Sequence, residues 1–228
     1  STGSESLTWA MNAVVPAIVA SRYRNSRIVA FSTGNVYGLV PVSSGGSVES
    51  DPLNPTGEYA MSCLGRERVF EYFSRTHGTP LSLVRLNYAC ELRYGVLVDL
   101  ATRIQNGQPI DVTMGSFNVI WQGDANAHAL FSLMDCSSPP FVVNVTGPET
   151  LSVRSISEQL AERMNLPVRF VGEESSTALL NDARFSHQRY GRPAVDLSEM
   201  LDDVADWVKR GGESLGKPTG FEVRDGKF

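Results

Sequence analysis

"IVAFSTGNVYG", residues 28–38, is the stretch on which the fold turns. Ile28, Val29, Ala30 and Phe31 form the short continuous apolar run expected of a strand buried on both faces, as in a parallel sheet. The run then ends in two hydroxyls, Ser32 and Thr33, followed by a glycine and an asparagine suited to a turn. A strand that closes on hydroxyls either terminates there or offers them to a ligand, and the flanking sequence bears on which.

Upstream, Leu7, Met11, Val14, Val15, Ile18 and Val19 recur at helical spacing, so residues 6–24 read as one helix in which Pro16 imposes a kink or marks a first turn. Downstream, the Gly, Ser and Pro content of residues 38–55 reads as a long loop. A second helix over residues 56–76 stops at Gly78, and "LSLVRL" is another buried strand. Strands alternating with helices at this interval predict an α/β fold, a doubly wound parallel sheet with right-handed crossovers. Ligands of such sheets sit at the carboxyl ends of the strands, which puts Ser32, Thr33 and Asn87 on one functional rim.

Further along, the pattern predicts a helix over 96–106 and a short strand about "NVIWQ". A helix capped by Asp124 and running to about 135 follows, then the strand "PFVVNVTG". "SVRSISEQLAERMN" is an amphipathic helix opened by Ser152, "PVRFV" is a short strand, residues 198–210 form a last helix, and the Gly- and Lys-rich end reads as a surface tail. No internal repeat or low-complexity segment is visible.

The totals exclude several classes of function. The chain has 228 residues, 42% hydrophobic and 20% charged, with a formal charge of -5 and no cluster of Lys or Arg, which argues against nucleic acid as a partner. No apolar run reaches the roughly 18 residues that span a bilayer. Cys63, Cys90 and Cys136 fall at no metal or disulfide spacing, and His77, His128 and His187 are scattered, so no metal site is expected. No signal-peptide pattern opens the chain, and a reducing cytoplasm is the expected location.

"STGNVYG", then "ESDPLNPTGEYAMSC", then "LVRLNYA" resembles, in order and spacing, the extended short-chain dehydrogenase/reductase family, the NAD-dependent epimerases and dehydratases of nucleotide sugars. "VIWQGDANAHAL" and "NVTGPETLSVRSISEQLAERM" extend the resemblance through nearly the whole chain. It implies a Rossmann-type fold with a smaller C-terminal substrate lobe. Residues 1–90, joined by 118–147, would form the dinucleotide-binding part that carries the active site; residues 91–117 and 148–228 would form the lobe and tail. It implies NAD or NADP as cofactor, a sugar-like substrate, and a homodimer built on the helices around residues 6–24 and 56–76.

By position the resemblance makes Tyr59 the catalytic acid/base, Thr33, with Ser32 beside it, the hydroxyl that orients the reacting oxygen, and Asn87 a substrate- or nicotinamide-side residue. A strand-end cap is an equal alternative for Asn87. A phenol with an ordinary pKa of about 10 needs a nearby positive charge to work near neutrality. The family supplies a lysine four residues on, one helical turn along the same face. Here that position, which should also meet the cofactor ribose, is Cys63.

Two more departures stand out. A G-x-x-G-x-x-G turn for a pyrophosphate occurs nowhere in these residues, and residue 1 falls about three βα units into the family pattern, on the order of 100 residues at ~30 per unit. "SFNVIWQGD" lacks the arginine with which nucleotide-sugar members hold a diphosphate. Arg85, inside a strand, is expected to pair with a buried carboxylate. Two functions therefore stand side by side: an NAD(P)-dependent epimerase/dehydratase-like oxidoreductase using a Thr/Tyr pair, and a non-catalytic dinucleotide-binding or scaffold relative. A serine hydrolase built on Ser32 is disfavoured because no G-x-S-x-G elbow is present.

Overall fold

The computed structural model describes residues 4–227. The chain opens with α1 (Glu5–Trp9), whose capping Ser4 hydroxyl accepts the Leu7 amide at 3.2 Å. The single helix expected over 6–24 is interrupted: a π-helical turn, Ala10–Val14, joins α1 to α2 (Val15–Arg22). Pro16 is the reason. It has no N–H to give the Asn12 carbonyl, and just before it the bonding slips by one residue, so that the Val15 N–H reaches Ala10, five residues back.

β1 (Ile28–Thr33) ends in a 3-10 turn at Gly34–Tyr37, and β2 (Val40–Pro41) lies within the long loop. α3 (Gly57–His77) stops at Gly78, which takes the left-handed conformation at φ 70° that glycine adopts without a steric cost. β3 (Leu81–Leu86), β4 (Ala89–Cys90) and α4 (Val96–Gln105) follow, then β5 (Ile110–Asp111), β6 (Ser116–Phe117), β7 (Ile120–Trp121) and α5 (Gln122–Phe131). The chain continues through β8 (Phe141–Val145), β9 (Leu151–Ser152), α6 (Val153–Met164), β10 (Phe170–Val171) and β11 (Thr177–Ala178). It ends with α7 (Arg184–Tyr190) and α8 (Leu197–Lys209).

The central sheet is parallel in the order β1-β3-β8, with Thr33 opposite Leu86 and Leu86 opposite Val145. Helices cover both of its faces. Ala20 of α2 and Phe70 of α3 pack with Ala30, Leu81 and Leu83 on one side; Ala125 and Ala129 of α5 pack with Val84, Val143 and Val145 on the other. Adjacent Leu83 and Val84 thus serve opposite faces, as the two-residue period of a strand requires. The other edge of β1 has no strand neighbour among the described residues. A larger apolar cluster unites α4, α6 and α8 through Leu97, Leu100, Ile104, Ile156, Leu160, Leu201 and Val204.

Two further expectations are corrected, and one helix was not foreseen. Asp124 is not a cap: α5 begins before it, and its carboxylate instead accepts the Val195 amide at 3.1 Å. α7 had no expected counterpart. The carboxyl-terminal segment is not a loose surface tail, because Phe221 is 1% exposed, in the α4–α6–α8 cluster, with its ring 6.5 Å from that of Phe117.

Arg85 does pair with a buried carboxylate. Its guanidinium meets both Glu67 oxygens at 3.0 and 2.8 Å, and both side chains are almost fully enclosed. Removing one member strands the other without its counter-charge, whereas replacing both with apolar groups does not. Glu67→Leu is therefore expected to cost about 3–5 kcal/mol in urea unfolding, and the double variant Glu67→Leu/Arg85→Met distinctly less.

Candidate functional site

The parallel β1–β3 pair brings Thr33 to the carboxyl edge of the sheet. Thr33 is extended (φ -138°, ψ 151°), and its Oγ1 accepts the Asn35 amide at 3.2 Å, which opens the 3-10 turn. Gly57, at φ 82°, begins α3, so Tyr59 falls in the helix's first turn, facing the end of β1. The Tyr59 phenol lies close enough to the Thr33 hydroxyl and the Cys63 thiol for both to act on its protonation. Burial, reinforced by the neighbouring Cys63, pushes the Tyr59 pKa up to about 12, against the opposing pull of Arg66 and Thr33. At neutral pH the group is a phenol, a proton donor rather than a base.

Cys63 lies one turn farther along α3 and is wholly enclosed among Val36, Tyr37, Leu53, Tyr59 and Leu64. Burial also raises its pKa, so the thiol stays protonated. It can neither supply charge nor meet a ribose, and its expected cofactor contact has no surface through which to occur. Asn12, on the π-helical turn, donates to Ser62 Oγ at 2.9 Å and contacts Cys63 Sγ at 3.7 Å, and its own carbonyl oxygen accepts from Arg66. Arg66 is the cation that acts on both Tyr59 and Cys63. It stands seven residues from Tyr59, two turns along one face, a spacing visible in the sequence. The role of Asn12 was not, since it depends on how α1 and α2 cross α3.

Ser32 does not join this group. Its side chain leaves β1 on the opposite face from Thr33, and its hydroxyl donates to Glu67 at 2.5 Å. Arg85 also donates to Tyr37 Oη at 2.7 Å, and that hydroxyl donates to Asn144 at 2.8 Å. Asn87 is 2% exposed, with its amide donating to the Leu179 carbonyl at 3.2 Å, so it ties the end of β3 to the segment after β11. Of the five expected residues, then, Thr33, Tyr59 and Cys63 are brought together, while Ser32 and Asn87 are bonded elsewhere. Next to Asn87, Tyr88 holds φ at 40°, uncommon for a bulky residue, and its hydroxyl is buried without a hydrogen-bond partner among the described residues.

Two cavities adjoin these elements. A space of about 10 Å³ lies among Asn35, Gly38, Leu39 and Thr56, closed by Leu179, Val223, Arg224 and Gly226. A polar cavity of about 310 Å³ opens among Ser43–Gly45, Asn118, Gly147, Pro148, Thr150, Asn181–Arg184 and His187. Among the described residues no group of three His, Cys, Asp or Glu side chains is placed to hold a metal ion, and no helix is long and apolar enough to cross a membrane.

No protein-family model and no curated protein matches the sequence. Solved structures match the fold. A dTDP-glucose 4,6-dehydratase from Bacillus anthracis in complex with NAD superposes with a TM-score of 0.77 at 15% identity, over 92% of this chain and 71% of that one. A UDP-glucuronic acid 4-epimerase from Bacillus cereus, with UDP-glucuronic acid and NAD, gives 0.74 at 18% identity, over 87% and 67%. A Thermus thermophilus UDP-glucose 4-epimerase complexed with NAD gives 0.71 at 22% identity, over 88% and 70%. The likeness is one of fold: an α/β architecture around a parallel sheet that these NAD-bound nucleotide-sugar enzymes share.

All three cysteines are enclosed, and burial raises the pKa of each. The native protein is therefore expected to resist a thiol reagent at neutral pH and to react at three sites on denaturation. Rapid labelling of Cys63, read by peptide mass spectrometry, is the contrary result.

Proposed function

We propose that this protein is an NAD(P)-dependent epimerase/dehydratase-like oxidoreductase acting on a sugar or sugar nucleotide, with Thr33 and Tyr59 as its acid–base pair. What supports this reading is that Thr33 lies near enough to Tyr59 to act on its protonation at the carboxyl edge of a parallel sheet, on a fold shared with nucleotide-sugar epimerases and dehydratases. We take residues 91–117 and 148–228 to be the substrate-binding lobe.

The cofactor implied, NAD or NADP, would take a hydride from a substrate carbon and return it. Thr33 and Tyr59 suit its nicotinamide end; the sealed Cys63 does not suit its ribose, and these residues hold no glycine-rich turn for its phosphates. What the chain's own groups perform is acid–base work. Thr33 orients a substrate oxygen by hydrogen bonding. Tyr59, protonated at neutral pH, gives its proton to that oxygen as a carbonyl becomes a hydroxyl. The reverse transfer needs the phenolate, which is scarce below about pH 12.

A non-catalytic dinucleotide-binding or scaffold role is the second reading, favoured by the same upward shift of Tyr59 and by the inert thiol beside it. Substitutions separate the two. In an enzyme, Tyr59→Phe is expected to lower turnover by roughly 10²–10⁴-fold. The rate of hydroxyl oxidation in the wild type should climb with pH through the alkaline range without levelling off. Cys63→Lys should bring the plateau to lower pH and raise turnover or dinucleotide affinity, because an ammonium one turn away favours the phenolate. If Cys63→Lys changes neither, the scaffold reading stands.

We also propose a homodimer. Leu7, Met11, Val14 and Ile18 line one stripe of α1–α2 and are each more than half exposed, an apolar surface that self-association would cover. Ile18→Glu is expected to shift sedimentation from dimer to monomer; a wild type that sediments as a monomer removes the proposal.

A further inference from the structure

Beyond the acid–base pair, we propose that Arg224, on the carboxyl-terminal segment, is an anion-binding residue, and that the anion is the phosphate of the sugar nucleotide. This rests on the sugar-nucleotide reading above and deepens it.

The segment is held along its length. The Thr219 amide and hydroxyl both donate to Asp99 Oδ2, at 2.7 and 2.6 Å; Phe221 is buried; and Glu222 pairs with Arg103. At its far end Gly226 lies against Thr56 and Gly57, so closely that a Cβ on Gly57 would stand 2.2 Å from the Gly226 carbonyl oxygen. The backbone on either side of Arg224 is thus fixed across the start of α3, two to three residues before Tyr59.

Held there, the half-buried Arg224 guanidinium has only neutral partners. It donates to the Thr177 carbonyl at 2.7 Å and to Thr177 Oγ1 at 2.6 Å, with Met114 Sδ at 3.4 Å. No carboxylate lies within ion-pair distance of it among the described residues, whereas Arg85 and Arg103 each have one. A guanidinium that gives up water without gaining a counter-charge is costly, and its flat fork of donors matches phosphate oxygens. It lines the small cavity with Asn35, Gly38 and Thr56, next in sequence or nearly so to Thr33 and Tyr59. That cavity, about 10 Å³, holds about one oxygen-sized group as it stands. That space suits one phosphate oxygen, with Arg224 exchanging Thr177 for it.

The test is titration calorimetry of the full chain with UDP, UDP-glucose and glucose. The wild type is expected to bind UDP and UDP-glucose but not glucose. Arg224→Gln should weaken UDP by about 10- to 100-fold, the scale of a charge-assisted hydrogen-bonded contact, and Arg224→Lys by less. Thr177→Val, which frees the guanidinium from one neutral partner, should retain UDP binding. If Arg224→Gln binds UDP as the wild type does, this inference falls and the sugar-nucleotide reading stands. A wild type that ignores both UDP and UDP-glucose removes both. Should Thr177→Val lose as much affinity as Arg224→Gln, the arginine serves only to hold β11, and the inference is overturned. Where Arg224→Gln fails to fold, Arg224→Lys is the variant to read: unchanged affinity there counts against the proposal.

Discussion

The enclosed ion pair between Arg85 on β3 and Glu67 on α3 is the interaction on which the geometry of the site depends. Two charges so deeply buried are tolerated only when their remaining hydrogen-bonding capacity is met. Ser32 of β1 donates to one Glu67 oxygen, Tyr37 accepts from Arg85, and Asn144 of β8 accepts from Tyr37. One polar network thus joins all three strands of the sheet to α3. Because Glu67 must face inward, the rotation of α3 about its axis is set. Residues four and eight positions earlier lie on the same stripe, so Cys63 and Tyr59 turn toward the end of β1, where Thr33 waits.

The same enclosure gives the site its chemical character. Tyr59 and Cys63 are both held protonated by burial, the tyrosine with its pKa pushed up to about 12. Arg66 opposes this, but its guanidinium is occupied by the Asn12 side chain and the Phe31 carbonyl. Desolvation outweighs the charge. At neutral pH the phenol and the thiol therefore both keep their protons, and each is a weaker acid than the same group in water.

The carboxyl-terminal segment adds a second constraint. Its anchors at Asp99, Arg103 and Thr177 belong to α4 and β11, and its last turn closes on the start of α3. The cluster packed around α4, α6 and α8 is thereby linked to the start of α3, the helix that carries Tyr59, through one stretch of backbone. The same backbone, at Val223, Arg224 and Gly226, walls the small space among Asn35, Gly38 and Thr56.

Much of this was legible in the residues alone. The apolar run at 28–31, the "LSLVRL" strand and Gly78 after α3 follow from rules of local chemistry: β-branched and apolar runs suit buried strands, and glycine alone takes φ 70° freely. The order of elements then placed Thr33 on the carboxyl rim. The departure at Cys63, and the thiol's inability to supply charge, also needed no coordinates. What the tertiary structure alone decided is which hydroxyls meet. Ser32 and Thr33 are neighbours of like chemistry, and only the position of Glu67 behind the sheet and Tyr59 above its edge commits one to the core and the other to the site. The interruption of the first helix, the burial of Phe221 and the neutral surroundings of Arg224 were likewise hidden, because each depends on partners tens of residues or more away or on a slip in bonding register. Local sequence sets what a segment prefers; a contact across the fold sets what its side chains can reach.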